Sequence, residues 1–552
     1  MRRFLLTGVA ALVTAALAAC GSSPGSSGTA GGPSGTLTIS NASGTEWNCA
    51  MNPFNPGSLG EGVTMGQVYE PLMFVDTLQN AKVTPWLASS YAWSNGSRTL
   101  TFTIQKDVTF SDGKPMTAAD VAFTFNLLKK FPALDVNSVW SVLSSVSQAG
   151  DTVVMRLKAA AVPYFYYIAD QVPIVPEHIW ASIKDPVTYA DSNPVGTGAY
   201  TVGRCTPQNI TYLANPHYWQ PGLPKIAKVL YPAFTSNDTA NTYLATGQAQ
   251  WGSQFIPNIG AFYTSKSSNN RYWFAPIANV SLIPNLTVPG LSSVAVRQAI
   301  AYALDRSKIA GVGEYGEEPG ANQNGVVTPT FSSWLDTAAA AKFRYGYNPA
   351  KAQSLLRQAG YVKGSDGIYA KGGQKLSFTG INIGGYSDWV ASMAMIQSEL
   401  KAVGIGLTVE NLAQNDYFSR LQSGNYQFAY YAQTGGPTPY YEFRQWLYSA
   451  NSAPIGKNAV TNWERYSSPA TDKLLDSYAS TTSAAAQHAI VNQLQQIVLS
   501  DVPYIPITES VAWFQYNTAS FTGWPSQSDP YAIPAVYAYP DMGQVLLHLS
   551  PK

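Results

Sequence analysis

Thr99-Leu100-Thr101-Phe102-Thr103-Ile104, Phe110-Ser111-Asp112-Gly113-Lys114-Pro115 and Thr117-Ala118-Ala119-Asp120-Val121 follow one another in the stretch whose reading decides the fold. Residues 99–104 alternate polar and apolar, as a half-buried strand does. Asp112-Gly113 marks a turn. Thr117, with Asp120 three residues on, makes a capping-box-like helix start, and Val121, Phe123, Phe125 and Leu128 follow it. Further helices fit residues 294–309, where Val296, Ala299, Ile300, Ala303 and Leu304 share a face, and 350–359, which stops at Gly360. Two more fit 388–403, before Gly404, and 484–499, before Asp501 and Pro503. Strand-like runs at 376–381, 407–412 and 427–431 lie between them. This alternation favours an α/β architecture over a β-sandwich or a bundle. No fixed-period repeat is present.

The chain opens with Arg2 and Arg3, a mostly apolar run from Phe4 to Leu17, and then Leu17-Ala18-Ala19-Cys20-Gly21. That is a short secretion signal over residues 1–19, below the ~20 residues a bilayer span needs. The junction resembles a bacterial lipobox, whose cysteine is acylated when the signal is removed. An ordinary cleaved signal, with Cys20 a bystander, is the other reading. Residues 20–35 are nearly all Gly, Ser, Pro, Thr and Ala and read as a flexible tether. Folded structure is expected from Thr36, with Leu37 and Ile39.

A chain of 552 residues suffices for two or more domains. Its net charge of +1, without a basic run, argues against nucleic acid. Aromatics equal charged residues at 12% each, and Tyr (34) and Trp (14) dominate them, which suits amphipathic ligands such as sugars and peptides. Beyond Cys20 only Cys49 and Cys205 remain, either one disulfide or two buried thiols. Metal-ligand spacing is absent and no cofactor fingerprint occurs. His178, His217, His488 and His548 are scattered, and no nucleophile elbow or P-loop appears, so a binder rather than an enzyme is expected. A chance pair of glycosidase carboxylates is the one enzymatic option left open.

Taken together, several blocks resemble the solute-binding proteins of ABC importers, specifically the extracellular family 5 type. They are the 99–125 stretch, Pro85-Trp86-Leu87-Ala88, Val175-Pro176-Glu177-His178-Ile179-Trp180, Gly196-Thr197-Gly198-Ala199-Tyr200 and Asn215-Pro216-His217-Tyr218-Trp219. Residues 296–306, Ala359-Gly360-Tyr361 and Pro503-Tyr504-Ile505-Pro506-Ile507 continue the series. The resemblance implies an α/β, two-lobed periplasmic-binding-protein-like clamp of class II type. Lobe 1 would comprise residues 36–72, 190–280 and 512–552, with an extra subdomain at 73–189, and lobe 2 residues 281–511. It also implies a monomer outside the cytoplasm that delivers an oligomeric solute to ABC permease subunits, tied to the membrane by a lipid on Cys20. Arg297 is read as a fold-stabilising charge.

Peptide-binding members resemble one another in an Asp-bearing loop of the second lobe. Here the corresponding run, Tyr430 to Tyr441, holds no Asp or Glu before Glu442. Its Gly436-Pro437-Thr438-Pro439-Tyr440, and Gly523-Trp524-Pro525-Ser526 with Asp529-Pro530-Tyr531-Ala532, resemble the branch that binds cello-, manno- or chito-oligosaccharides. Oligopeptide is the alternative cargo. Ring candidates are Trp47, Trp251, Trp273, Trp446, Trp513, Trp524, Tyr431, Tyr440 and Tyr531. Hydroxyl-contact candidates are Glu46, Asn48, Gln254, Asn285 and Gln433. Trp47 and Trp524 lead because turn formers, not a periodic run, surround them.

Overall fold

The Thr117 hydroxyl accepts from Ala119 N at 3.2 Å and Thr117 N donates to the Asp120 carboxylate at 2.9 Å, so the capping box forms and helix Ala118–Lys130 follows. In this computed structural model residues 32–42, 46–55, 60–432 and 435–552 are described, and Pro33–Lys552 forms one compact unit. The expected signal, Cys20 and nearly all of the tether lie outside the described residues, as does Gln433. The first strand, Ser34–Ser40, starts two residues before the expected Thr36.

The 99–125 stretch belongs to a four-stranded antiparallel sheet ordered Ala88–Ser94, Thr99–Ile104, Thr152–Leu157, Leu143–Ala149. Leu100, Phe102, Val153 and Met155 are buried, as are Val121, Phe125 and Leu128 of the capped helix. The Asp112 turn accepts from Lys114 N at 3.1 Å and pairs with His178 Nε2 at 2.8 Å, tying it to helix Glu177–Trp180.

Two larger mixed sheets carry the rest. The first has seven strands, ordered Asn270–Tyr272, Gln515–Asn517, Trp251–Gly252, Ser34–Ser40, Ile226–Pro232, Asn209–Ala214, Tyr200–Thr206. The second has five, ordered Gly406–Leu412, Ser377–Ile383, Phe428–Ala432, Ala275–Pro284, Ile505–Ala512. Ser34–Ser40 runs parallel to both of its neighbours, and so does Ser377–Ile383.

The chain passes between the two sheets at Trp273–Phe274 and again at Trp513–Phe514. Residue 281, near which a crossing was expected, lies inside strand Ala275–Pro284, which pairs with Ile505–Ala512 from Ala275↔Ala512 to Leu282↔Ile505. No glycine or turn pair marks the junction, so the apolar run gave no local sign of the change of sheet. The expected helix 294–309 is two, Val294–Ala303 and Arg306–Gly313. Leu304 is extended, and the Asp305 carboxylate caps the second helix by accepting from Lys308 N at 3.1 Å. Arg297 donates to the carbonyls of Leu291, Asp501 and Val502, the bracing role expected of it.

Cys49 and Cys205 are bonded across 156 residues, with Cα atoms 5.8 Å apart, which resolves the choice the sequence left open. Replacing both with serine is expected to destabilise the chain by about 2–5 kcal/mol in denaturant unfolding. An unchanged midpoint would show that the bond contributes nothing.

Candidate functional site

Strand Ser377–Ile383 is followed by Gly384-Gly385-Tyr386 and then helix Ser387–Ala402. This turn meets the other side of the molecule. Asn237 N donates to the Gly385 carbonyl at 3.0 Å, and Asn237 Nδ2 donates to Asp388 Oδ1 at 2.8 Å. Glycine is required at 385, because a Cβ there would lie 2.2 Å from the Thr235 carbonyl oxygen. The position suits a ligand, since mixed α/β sheets bind ligands beyond the carboxyl ends of their parallel strands.

Tyrosines gather around this contact. Tyr386 is within electrostatic reach of Tyr231, Tyr431, Tyr537 and Asp388, which with burial raises its phenol far above the ordinary value. Tyr231 belongs to the first sheet and takes Trp47 edge-on at 4.9 Å. The indole of Trp47 donates to the Tyr231 carbonyl at 3.0 Å, and Asn41 Nδ2 donates to its hydroxyl at 3.1 Å. Tyr431 is half-buried and set edge-on among Trp389, Phe418 and Trp463, with centroids 5.2–5.6 Å away. Tyr537 is 40% exposed although its hydroxyl is held, accepting from Trp513 N at 3.1 Å and donating to the Val511 carbonyl at 3.3 Å. Its ring is therefore fixed with open surface. Tyr315, 58% exposed, lies against Phe255, which packs on Trp513.

Beneath the rings lie buried carboxylates. Glu314 Oε1 accepts from Ser392 Oγ at 3.1 Å. Glu318 accepts from Thr508 Oγ1 at 2.8 Å and from Val511 N at 3.2 Å. Burial first, and the neighbouring negative charges second, push Glu314 well above the carboxylate range. Burial chiefly holds Glu318 at about 8 and Asp388 at about 7. Among the described residues no three His, Cys, Asp or Glu side chains are placed to hold a metal ion.

A second contact closes the far side. From helix Pro439–Leu447, Tyr441 donates to the Pro163 carbonyl at 2.6 Å and Arg444 to the Tyr164 hydroxyl at 2.9 Å. The Arg444 guanidinium also sits 5.2 Å from the rings of Tyr164, Tyr167 and Tyr448. Sequence reasoning passed over Tyr164-Phe165-Tyr166-Tyr167, although four consecutive aromatics were its visible signal. It also missed Tyr315, Tyr386, Tyr537, Glu314, Glu318 and Asp388.

Of the sequence candidates, Trp47 and Tyr431 join the tyrosine group. Trp513 is buried against Phe255 and Phe274, and its backbone holds Tyr537. Gln254 is buried beside the end of the first strand, bonded to Asn241 at 3.2 Å. Trp273 is half-buried at the crossing. The others stand outside this group. Trp251 is core, its indole donating to the Pro534 carbonyl at 2.9 Å. Trp446 is core, stacked on Tyr504 at 4.8 Å. Tyr440 is buried and stacked on Tyr478 at 4.1 Å. Asn285 braces a turn through the Gly424 and Tyr426 carbonyls. Trp524 packs with Trp251, Phe514 and Tyr516, and Tyr531 stacks on His548 with its hydroxyl on the Gly523 carbonyl. Exposed Asn48 caps its own turn by accepting from Ala50 N at 3.1 Å, and Glu46 is exposed. Burying a large ring is worth a few kcal/mol wherever it happens, so residue type alone does not separate a core indole from a binding one. A hollow of about 560 Å³ lies apart from all of these, lined by residues such as Asp336, Phe343 and Gln496.

Comparison with known proteins gives a consistent picture. The family model described as bacterial extracellular solute-binding proteins, family 5 Middle, matches residues 82–454. Protein XP55 of Streptomyces lividans is 29% identical over 466 residues, 80% of this chain and 78% of that one. The nickel-binding periplasmic protein of Escherichia coli K12 is 24% identical over 485 residues, covering 84% and 88%. The mannohexaose-bound periplasmic oligopeptide-binding protein of Thermotoga maritima superposes with a TM-score of 0.87 at 26% identity, covering 94% and 98%. AppA of Bacillus subtilis, in complex with a nonapeptide, gives 0.79 at 20% identity, covering 94% and 99%.

Arg444→Met keeps the side chain's bulk and removes its charge and donors. The unliganded variant is expected to show a larger radius of gyration by small-angle scattering, with an unchanged far-ultraviolet spectrum. An unchanged radius would show that this contact does not hold the two sides together.

Proposed function

The chain belongs to the bacterial extracellular solute-binding proteins of family 5, and from that premise we propose that it captures an oligosaccharide of the cello-, manno- or chito- type for an ABC importer. The family's members bind and do not catalyse, and the fold is the two-lobed clamp of periplasmic binding proteins. We read residues 34–274 with 513–552 as one lobe, carrying residues 73–189 as its subdomain, and 275–512 as the other.

The observation that carries the reading is the set of tyrosine rings, Tyr315, Tyr386, Tyr431 and Tyr537, that keep open surface where the lobes meet. Pyranose C–H faces pack on such rings, and sugar hydroxyls pair with neutral groups such as Asn41, Asn237 and Gln254. The mannohexaose-bound relative supports the same class. Solute touching both lobes would stabilise the closed form, with bending at Trp273–Phe274 and Trp513–Phe514. A lipid on Cys20 would hold the clamp at the outer membrane face near its permease and raise its local concentration there.

The buried carboxylates favour a second reading, an oligopeptide with its ammonium among them, even though the described part of the 430–441 loop offers no acid. Thermal-shift and calorimetric titration with β-linked hexaoses and with di- to pentapeptides decides between the two. Stabilisation by the sugars is expected, and a response to peptides alone would overturn the oligosaccharide reading. Tyr386→Ala should weaken sugar binding about tenfold without unfolding the chain. Cys20→Ala should move the protein from the membrane fraction to the soluble one, and retention in membranes would refute the lipid.

A further inference from the structure

We propose that the solute carries a primary ammonium and that Glu314, Glu318 and Asp388 form the subsite that receives it. The proposal rests on the solute-binding reading above and narrows it: on an oligosaccharide, the group is the free amine of a hexosamine.

The carboxylates come from separate places, the end of helix Arg306–Gly313, the loop after it and the first turn of Ser387–Ala402, and each is at most 4% exposed. The groups facing them supply hydroxyls and amides. Ser392 stands on the 387–402 helix, Thr508, Ser510 and Val511 N on the Ile505–Ala512 strand, Tyr430 on Phe428–Ala432, and Tyr537 and Asn237 in the opposite lobe. Among the described residues, no Lys, Arg or His acts on Glu314 or Asp388.

The chain's own donors reach Glu314 Oε1, both Glu318 oxygens and Asp388 Oδ1. Glu314 Oε2 and the Tyr430 hydroxyl remain, both fully buried and without a hydrogen-bond partner. Tyr430 lies in the field of Glu314 and Glu318, so the two unpartnered groups belong to one place. Leaving such groups unpaired costs about 1–3 kcal/mol each. A cation with several N–H donors satisfies both. Tyr386 lies within electrostatic reach of Asp388, and Tyr537 of both Glu318 and Asp388. Access comes with lobe opening, because Asn237 and Tyr537 cover the carboxylates from the other lobe.

Burial raises all three carboxylates in the empty site, Asp388 to about 7 and Glu318 to about 8, with Glu314 well above its ordinary range. An arriving cation lowers those values, so binding expels protons and tightens as pH rises from about 6 to 8.

The test is calorimetry on the full chain with glucosamine tetramer, its N-acetylated counterpart, and tripeptides with free or acetylated N-termini, in two buffers of different ionisation enthalpy. The free amine is expected to bind about tenfold to a hundredfold more tightly than the acetylated form, with proton release. Glu314→Gln and Asp388→Asn should each remove that preference and the proton release. Equal binding of amine and acetyl sugars would overturn the ammonium subsite and leave the oligosaccharide reading standing. Free-amine peptides binding alone would keep the subsite and overturn the oligosaccharide reading. The comparison on the unaltered chain decides even if a variant fails to fold.

Discussion

Strands Ala275–Pro284 and Ile505–Ala512 lie antiparallel, and that pairing puts both passages between the two large sheets side by side. The passages are bonded to each other: Trp273 N donates to the Phe514 carbonyl at 3.0 Å, and Phe274 meets Trp513 edge-on at 4.8 Å. Two short links so joined have the form of a hinge. The cleft and the contacts across it depend on this arrangement. Trp513 also connects the hinge to the site, since its backbone N–H fixes the Tyr537 hydroxyl.

The contacts across the cleft differ in chemistry. Near the hinge, Asn237 meets Asp388, a polar contact beside buried acids. At the far side, Arg444 sits among three tyrosine rings with no carboxylate within ion-pair distance among the described residues. A guanidinium stacked on rings loses less on desolvation than an ammonium does. A polar solute would therefore be enclosed between an acidic floor and an aromatic rim.

Much of the fold was legible because local chemistry enforced it. Thr117 and Asp120 can satisfy each other only at a helix start, and the capping box appears where they stand. Gly360 and Gly404 follow helices Pro349–Gln358 and Ser387–Ala402 as helix terminators do. The site was less legible. Trp524 looked free among turn formers yet packs on Trp251, Phe514 and Tyr516. Asn285 looked available yet holds two carbonyls. Glu314, Glu318 and Asp388 stand up to 74 residues apart on unremarkable surface-type sequence, and only folding removes them from water.

By itself the sequence determined the α/β class, the helix starts and stops and the resemblance to a family of binding proteins, because these rest on short-range patterns and ordered blocks. The crossing points, the disulfide's closure and the residues that face the cleft were decided only by the tertiary structure. Each depends on which distant side chain fills a given space. An indole or a carboxylate carries the same letter in the core as at a binding surface, and burial against partners from remote segments tells them apart.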